Sequence, residues 1–257
     1  MDIIVCIKRV PQTAEADVKV DNTGKDIIKD RLTFDMNESD TYALEEAILL
    51  KEKFGGTLTA VSCGPVEAED TLRIALAKGA DHAIRIKEED FSDIDGFATA
   101  QMLSSVIKGI KHDVVLCGCL ATDDYYSQVG VTIAELLGIS HATLVTKIDI
   151  ADAKAHAYRE LEGGLLEHLE IDLPALFTIQ TGINEPRYAS LIAIRRAAKK
   201  EITVVGKETI VPDSIQANCM LEKLYIPPVG KRAEILSGGM DEISAKFGDV
   251  VKEKGLL

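Results

Sequence analysis

Residues 113–138, DVVLCGCLATDDYYSQVGVTIAELLG, have the composition expected of a phosphate-binding turn. An apolar strand-like run is followed by a polar loop, 118–130, in which Asp123, Asp124 and Ser127 could accept hydrogen bonds from a ribose. Where a parallel strand enters a helix through such a loop, backbone N–H groups and the helix N-terminus face a ligand at the carboxyl edge of the sheet. An ordinary strand-to-helix turn has the same pattern, so this stretch alone leaves both interpretations open.

Two other predicted strand ends carry suitable residues. The strand at 3–7 ends in Lys8 and Arg9, two cations that could meet a phosphate, although a solvated turn is the commoner role. The strand at 58–61 ends in Ser-Cys-Gly-Pro, where Gly64 would let the backbone approach a ligand, although Gly-Pro pairs also form ordinary turns. Three such loops at one edge favour an adenine nucleotide site. The absence of GxGxxG and Walker sequences excludes a standard dinucleotide or P-loop site.

The elements that must position these loops alternate along the first half of the chain. We predict strands at 3–7, 58–61, 83–86 and 114–117, each separated from the next by a helix. The first of these helices is capped by Asp40, and the other two span 66–78 and 95–108. Short connections between strands and helices imply right-handed crossovers and a parallel sheet, and therefore an α/β fold.

The second half of the chain changes its pattern. Alternating segments at 143–150, 155–160 and 165–173 predict an antiparallel meander added to the parallel sheet, and 175–179 predicts one more apolar strand. Beyond residue 205 the alternation is lost, so we predict one domain at 1–205 and a C-terminal arm at 206–257 that packs on a neighbour. The polar excursion at 12–36 is typical of a functional or interface loop.

The composition excludes several classes of function. The net charge of −13 disfavours nucleic acid and anionic membranes as partners. No apolar run approaches the ~20 residues of a membrane span, and no signal peptide is visible, which favours a cytoplasmic protein. The five cysteines lack CxxC spacing and the five histidines are dispersed, so we expect reduced thiols, no metal site and no catalytic nucleophile.

Several motifs, in order, resemble the β subunit of electron transfer flavoproteins. They are VCIKRVP, MNESDTYALEEA, VSCGP, LRIALAKGADHAI, DDYYSQVG, RELEGGL, LPALFT and NEPRYASLIAIRRAAKKEI, spread from the N-terminus to about residue 205. The last motif is the most specific. The resemblance implies a Rossmann-like domain, similar to that of adenine-nucleotide α-hydrolases, in a heterodimer whose α subunit holds a redox-active FAD.

The resemblance also assigns residues to two sites. The positions that match the family's nucleotide site, which holds AMP or a second FAD, are Cys6, Lys8, Asn37, Cys63, Gly64, Pro65, Asp123, Ser127, Gln128, Val129 and Gly130. Residues 184–200 match the segment that recognises acyl-CoA dehydrogenases, with Leu191 as its apolar anchor. The other recognition positions are Pro186, Tyr188, Arg195 and Lys199, and the cations could steer acidic partners.

The identity of the nucleotide stays open at this stage. Thr13 stands where the AMP-binding branch usually has an aromatic residue, whereas Cys119, Leu120 and Tyr125 depart from the electron-bifurcating branch. The resemblance predicts an electron carrier between acyl-CoA dehydrogenases and a quinone-linked membrane oxidoreductase, with cofactors positioned by the protein rather than catalysis by its side chains. The alternatives are a bifurcating subunit with its own FAD and, in another class, a stand-alone nucleotide-binding or ATP-hydrolysing module.

Overall fold

The computed structural model describes residues 1–88, 90, 94–206, 210, 215, 217–228, 230 and 233–256, so parts of the predicted arm lie outside it. The strands are β1 (Asp2–Cys6), β2 (Arg9–Pro11), β3 (Phe34–Met36), β4 (Thr57–Gly64), β5 (His82–Lys87), β6 (Val114–Gly118), β7 (Ser140–Ala151), β8 (Lys154–Leu161), β9 (Leu165–Asp172), β10 (Ala175–Ile179) and β11 (Thr203–Gly206). The helices are α1 (Glu38–Phe54), α2 (Glu69–Lys78), α3 (Gly96–Ile107), α4 (Val129–Leu137), α5 (Leu191–Ala197) and α6 (Met240–Glu253).

Nine strands form one sheet in the order β11-β5-β4-β1-β6-β10-β7-β8-β9. From β11 to β7 all neighbours are parallel, and β7, β8 and β9 pair antiparallel. The predicted α/β fold, with a parallel sheet extended by an antiparallel meander, is confirmed. Such a sheet needs crossover helices on both faces because its strands bury both sets of side chains.

Strand β1 shows how the sequence produces this layering. Ile3 and Val5 face the cluster that contains apolar residues of α1 and α2, whereas Ile4 and Cys6 face the cluster that contains residues of α3 and α4. All four side chains are buried. A strand that is apolar at every position, rather than at every second one, therefore lies in the middle of a three-layer structure.

The first helix begins earlier than predicted, and its predicted cap was wrong. Helix α1 begins at Glu38, with Asn37 at the N-cap position. The Asn37 side chain accepts from no backbone N–H of the first turn, but its Nδ2 donates to Ser39 Oγ at 3.1 Å. Asp40 lies within the helix and is buried. Its carboxylate accepts hydrogen bonds from the backbone N–H groups of Lys8 and Gly118, so it serves two strand ends instead of its own helix.

The chain divides into two compact units, Met1–Leu224 and Tyr225–Leu257. The first unit extends beyond the end of the sheet, because Asp95 Oδ2 accepts hydrogen bonds from the backbone of Asn218 and Cys219 at 2.7 and 2.9 Å. The backbone N–H of Leu224 also donates to Gly24 at 2.7 Å. In the second unit, α6 carries no buried residue among those described. None of the described helices is both long and apolar enough to cross a membrane.

Candidate functional site

The three loops predicted to converge lie at adjacent strand ends. Strand β1 pairs on one side with β4 and on the other with β6, and Cys6 is in register with both Val61 and Cys117. The chain order runs from β1 through β4 and β5 on one side, then returns to β6 on the other. Ligands of open α/β sheets bind in the crevice outside the carboxyl ends at such a reversal.

The first turn of α1 holds the loop that follows β6. Asn37 Nδ2 and Ser39 Oγ both donate to the carbonyl oxygen of Leu120, at 2.8 and 2.7 Å, and Asn37 Oδ1 accepts from the backbone N–H of Thr122 at 3.1 Å. Both the amide nitrogen and the amide oxygen of Asn37 thus have hydrogen-bond partners within the protein, and the residue is 1% exposed. In this structure Asn37 shapes the predicted nucleotide site by positioning its main loop.

Asp40 lies beneath the crevice and joins its two walls. Its Oδ2 accepts from Lys8 N at 2.7 Å and its Oδ1 from Gly118 N at 2.9 Å. A Cβ on Gly118 would lie 2.2 Å from Oδ1, so only glycine lets the strand end approach this carboxylate. Burial raises the pKa of Asp40 to about 7, and the two backbone donors act in the opposite direction. Sequence reasoning missed this role.

The side chain of Lys8 connects the end of β1 to the loop that follows β6. Its Nζ lies 2.7 Å from Asp123 Oδ1 and 3.0 Å from Asp124 Oδ2, in an ion pair that is partly exposed. Burial alone would lower the pKa of Lys8, but the two carboxylates outweigh it and raise the pKa, so Lys8 is a cation. The predicted phosphate cation and the predicted ribose acceptors therefore contact one another.

The loop before α4 contains two residues with a left-handed backbone. Tyr125 and Ser127 have φ values of 57° and 54°, the left-handed region that residues other than glycine rarely adopt. Gln128 occupies the N-cap position of α4 without a side-chain hydrogen bond to the first turn. The N–H groups at Val129 and Gly130 begin the helix, where such groups lack intrahelical acceptors and favour a negative charge. These residues fit a nucleotide phosphate.

Two glycines of the predicted site are explained by packing. A Cβ on Gly130 would lie 2.7 Å from both Cys117 Sγ and Thr178 Cγ2, so glycine lets α4 approach the sheet. A Cβ on Gly64 would lie 2.9 Å from the Cβ of Ala68, just after Pro65 in the next turn. In the direction of a Cβ, the space at both glycines is filled by the protein itself, and the close approach of their backbones to a ligand stays a prediction.

Three of the five cysteines, Cys6, Cys63 and Cys117, lie at the carboxyl ends of the adjacent strands β1, β4 and β6. Cys6, Cys117 and Cys119 are buried, Cys63 is partly buried and Cys219 is exposed. Burial raises the pKa of Cys6 to about 12 and that of Cys117 well above its ordinary value, so both stay protonated at neutral pH. A protonated thiol is a poor nucleophile, and these residues therefore contribute shape and low polarity.

The predicted recognition segment, residues 184–200, lies away from this crevice against α1 and α2. Arg187 pairs with Glu45 and Glu52 of α1. The apolar residues that follow it face solvent: Tyr188 is 99% exposed and Leu191 is 75% exposed. Pro186 lies beside Arg187, and Arg195 and Lys199 are exposed with Leu191 on and after α5. The structure therefore separates the predicted nucleotide residues from the predicted recognition residues.

The fold defines a Rossmann-like α/β protein, with polar loops at the strand ends where the strand order reverses. The sequence profile of the electron transfer flavoprotein domain matches residues 26–209. The chain is 37% identical to the β subunit of the electron transfer flavoprotein of Methylophilus methylotrophus over 98% of each chain. It is 41% identical to that of Thermoanaerobacterium thermosaccharolyticum over 94% of each. Subunit CarD of the caffeyl-CoA reductase–Etf complex of Acetobacterium woodii is 34% identical over the full length of both chains. The chain belongs to the electron transfer flavoprotein family, among its β subunits.

Proposed function

We propose that this chain pairs with an α subunit and carries electrons from acyl-CoA dehydrogenases to a quinone-linked membrane oxidoreductase, in fatty acid β-oxidation in the cytoplasm. The observation that carries the proposal is the recognition segment. Leu191 is 75% exposed at the start of α5, and Ile192 and Ile194 on the same helix are 64% and 46% exposed, so the segment presents an apolar surface to solvent. Apolar side chains of this kind act as binding hot spots when a partner removes them from water.

The crevice is proposed to hold an adenine nucleotide, either AMP or a second FAD. FAD accepts and releases electrons; the chain's own residues bind, orient and shield the nucleotide. The backbone N–H groups of Val129 and Gly130 would meet a phosphate, and Lys8 would supply a cation after exchanging one of its two carboxylates for it. Asp123 and Ser127 would accept from the ribose hydroxyls. Asn37 and Asp40 hold the loops in place for this contact.

The cofactor proposal is tested on the complex co-expressed with its α subunit. We expect a yellow complex of two unlike chains. Denaturation should release the α-subunit FAD together with one further nucleotide per complex, and chromatography of the released fraction identifies that nucleotide as AMP or FAD. A colourless single chain that hydrolyses ATP would instead support a stand-alone nucleotide-binding module and overturn the proposal.

The recognition proposal is tested by Leu191→Ala. Removing a buried interface leucine costs about 2–3 kcal/mol where the surroundings can relax, which corresponds to a loss of affinity of about thirtyfold to 150-fold. The loss should appear as faster dissociation from the dehydrogenase, because an apolar anchor does not steer the encounter. Lys199→Glu is the matched variant and should slow association in a manner that salt removes.

Flavin content and the resting spectrum should be unchanged in both variants, since the segment is separate from the crevice. Stopped-flow reduction of the complex by a panel of acyl-CoA dehydrogenases, at low and high ionic strength, measures both rates. Wild-type kinetics for Leu191→Ala with every dehydrogenase would contradict the assignment of this segment.

A further inference from the structure

Helix α5 carries the proposed recognition surface but cannot be stable by itself. It has seven residues, and Ala197 is the only one of them that is buried. Isolated helices of this length are marginal in water because nucleation is costly and few hydrogen bonds repay it. Leu191 and Ile192 face solvent, so packing of the helix does not fix them. Contacts at the two ends of the segment must hold it.

The N-terminal end is fastened to α1 by Arg187. Its backbone N–H and its Nε both donate to the carboxylate of Glu45, at 2.9 Å, and its guanidinium also contacts Glu52 at 2.6 Å. Glu45 is only 4% exposed, whereas the side chains of Arg187 and Glu52 are 33% and 56% exposed, so the contact with Glu45 is the less screened of the two. Asn184 adds a second attachment by donating to the carbonyl oxygen of Tyr42 at 3.1 Å.

The C-terminal end is fastened to α2 by Arg73. One guanidinium nitrogen lies 3.1 Å from the carbonyl oxygen of Ala197, 3.3 Å from that of Ala198 and 3.1 Å from that of Lys200. These carbonyl groups lie at and just beyond the C-terminal end of α5, where a positive charge is favourable. That of Ala197 also accepts from the backbone N–H of Lys200 at 3.0 Å. At the other end of the helix, Ser190 Oγ accepts from the N–H of Ala193 at 3.2 Å.

We propose that Arg187 and Arg73 are positioning residues that pre-form the recognition helix and hold Leu191 outward before a partner arrives. This inference rests on the proposed function of the segment and deepens it. If the helix formed only on binding, each encounter would have to order about ten residues, which lowers affinity. With the contacts of Arg187 and Arg73 in place, that ordering is completed during folding, and α5 presents a rigid surface.

The contacts of Arg73 and Arg187 raise the fraction of molecules in which α5 is already formed and able to bind a partner. Apparent affinity falls in proportion to that fraction. For Arg73→Gln and Arg187→Gln we expect the KM for the electron carrier in the dehydrogenase reaction to rise about threefold to thirtyfold, with kcat unchanged at saturation. In Arg73→Lys the KM should rise less than in Arg73→Gln, because an ammonium group can still contact the carbonyl groups, although it cannot form the same fork of hydrogen bonds.

The experiment uses the α–β complex and two readouts. Hydrogen exchange of the amides in 191–200 reports helix formation directly, and steady-state kinetics with one acyl-CoA dehydrogenase reports recognition. Arg159→Gln is the control for general loss of stability, since Arg159 is a partly buried arginine on β8 that pairs with Glu167 of β9 and donates to Thr143 Oγ1 at 3.2 Å. Lys199→Gln is the control for loss of one positive charge from this surface.

We expect faster exchange in 191–200 and a higher KM in Arg73→Gln and Arg187→Gln, with neither change in Arg159→Gln. In Lys199→Gln the exchange should be unchanged. The inference is overturned if Leu191→Ala raises KM while Arg73→Gln and Arg187→Gln do not, if exchange accelerates without a change in KM, or if Arg159→Gln reproduces their effect. If Leu191→Ala itself has no effect, the proposed function of the segment fails, and the inference fails with it.

Discussion

At the scale of single residues, Asp40 connects two segments of the candidate site that are far apart in the sequence, the ends of β1 and β6. One carboxylate serves the ends of β1 and β6 through Lys8 and Gly118, and its position on α1 makes the helix part of the crevice wall. A buried carboxylate with two N–H donors is stable when ionised only if those donors offset its loss of hydration. Because burial still raises its pKa to about 7, the offset is incomplete.

The stability of the protein should therefore depend on the ionisation of Asp40. Its pKa is higher in the folded state, about 7, than its ordinary value of 3.8, so the folded state holds this proton more tightly. The resulting stabilisation is complete below pH ~4 and is lost as the pH rises through 7. Relative to Asp40→Asn, the wild-type free energy of unfolding should fall between these pH values, by at most ~1.4 kcal/mol per pH unit.

Urea unfolding of the two proteins at pH 5, 6, 7 and 8 measures this difference, and titrations common to both cancel in it. Asp17→Asn, which removes a carboxyl with a largely exposed side chain, is the control and should give a curve parallel to the wild type. A constant difference between wild type and Asp40→Asn across this range would show that Asp40 is ionised throughout.

At the scale of elements, the contact between α4 and the sheet depends on one missing side chain. Gly130→Ala would place a methyl group 2.7 Å from Cys117 Sγ and Thr178 Cγ2, so the helix or the strands must move. Overpacking of this kind costs about 1–3 kcal/mol. Cys117→Ala should relieve part of that cost in the double variant.

Thermal or urea unfolding of the single and double variants gives the coupling between the two positions. Gly109→Ala is the control, because its Cβ would meet only Val106 O at an ordinary 3.5 Å. Nucleotide content is measured in parallel, since a displaced α4 would move the N–H groups of the proposed phosphate site. Additive effects of Gly130→Ala and Cys117→Ala would contradict the packing explanation.

Most of the longer elements could be predicted because each leaves a local pattern, whereas the short strands β2, β3 and β11 were not predicted. Continuous apolar runs predicted the buried strands, and helical spacing predicted α1 to α4. The roles of Asp40, Arg73 and Arg187 could not, since each depends on which distant backbone or carboxyl groups the fold brings near. Asp40 precedes an apolar helical stretch, as a capping residue does, and only the strand ends beside it show otherwise. The resemblance supplied Asn37 and Leu191, which local patterns alone did not single out.

At the scale of the whole molecule, charge and exposed apolar surface are unevenly distributed. The chain has a net charge of −13, yet α5 and the residues after it carry Arg195, Arg196, Lys199 and Lys200. Such a local basic patch can guide an acidic partner to one place on a protein that otherwise repels it. The proposed recognition surface thus combines an apolar anchor for affinity with charges for the rate of encounter.

The second compact unit, Tyr225–Leu257, exposes more apolar surface than a folded segment of its size can stabilise by itself. Ile235 is 88% exposed, Met240 81%, Leu256 71% and Phe247 61%. The apolar residues of α6 recur at helical spacing, which is typical of a face that binds another protein. We therefore expect this unit to pack on the α subunit, as predicted for the arm.

Deleting residues 225–257 should leave the first unit folded and weaken the heterodimer. The deletion begins at 225 because the chain up to Leu224 is hydrogen-bonded to the first unit through Asp95 and Gly24. We expect the truncated chain to retain the circular dichroism and unfolding transition of an α/β domain, but to bind the α subunit at least about tenfold more weakly and with less FAD. Phe247→Ser should show a smaller loss of the same kind, whereas Asp249→Ser on the same helix should not. Unchanged subunit affinity and FAD content after the deletion would mean that the exposed face of α6 binds something other than the α subunit.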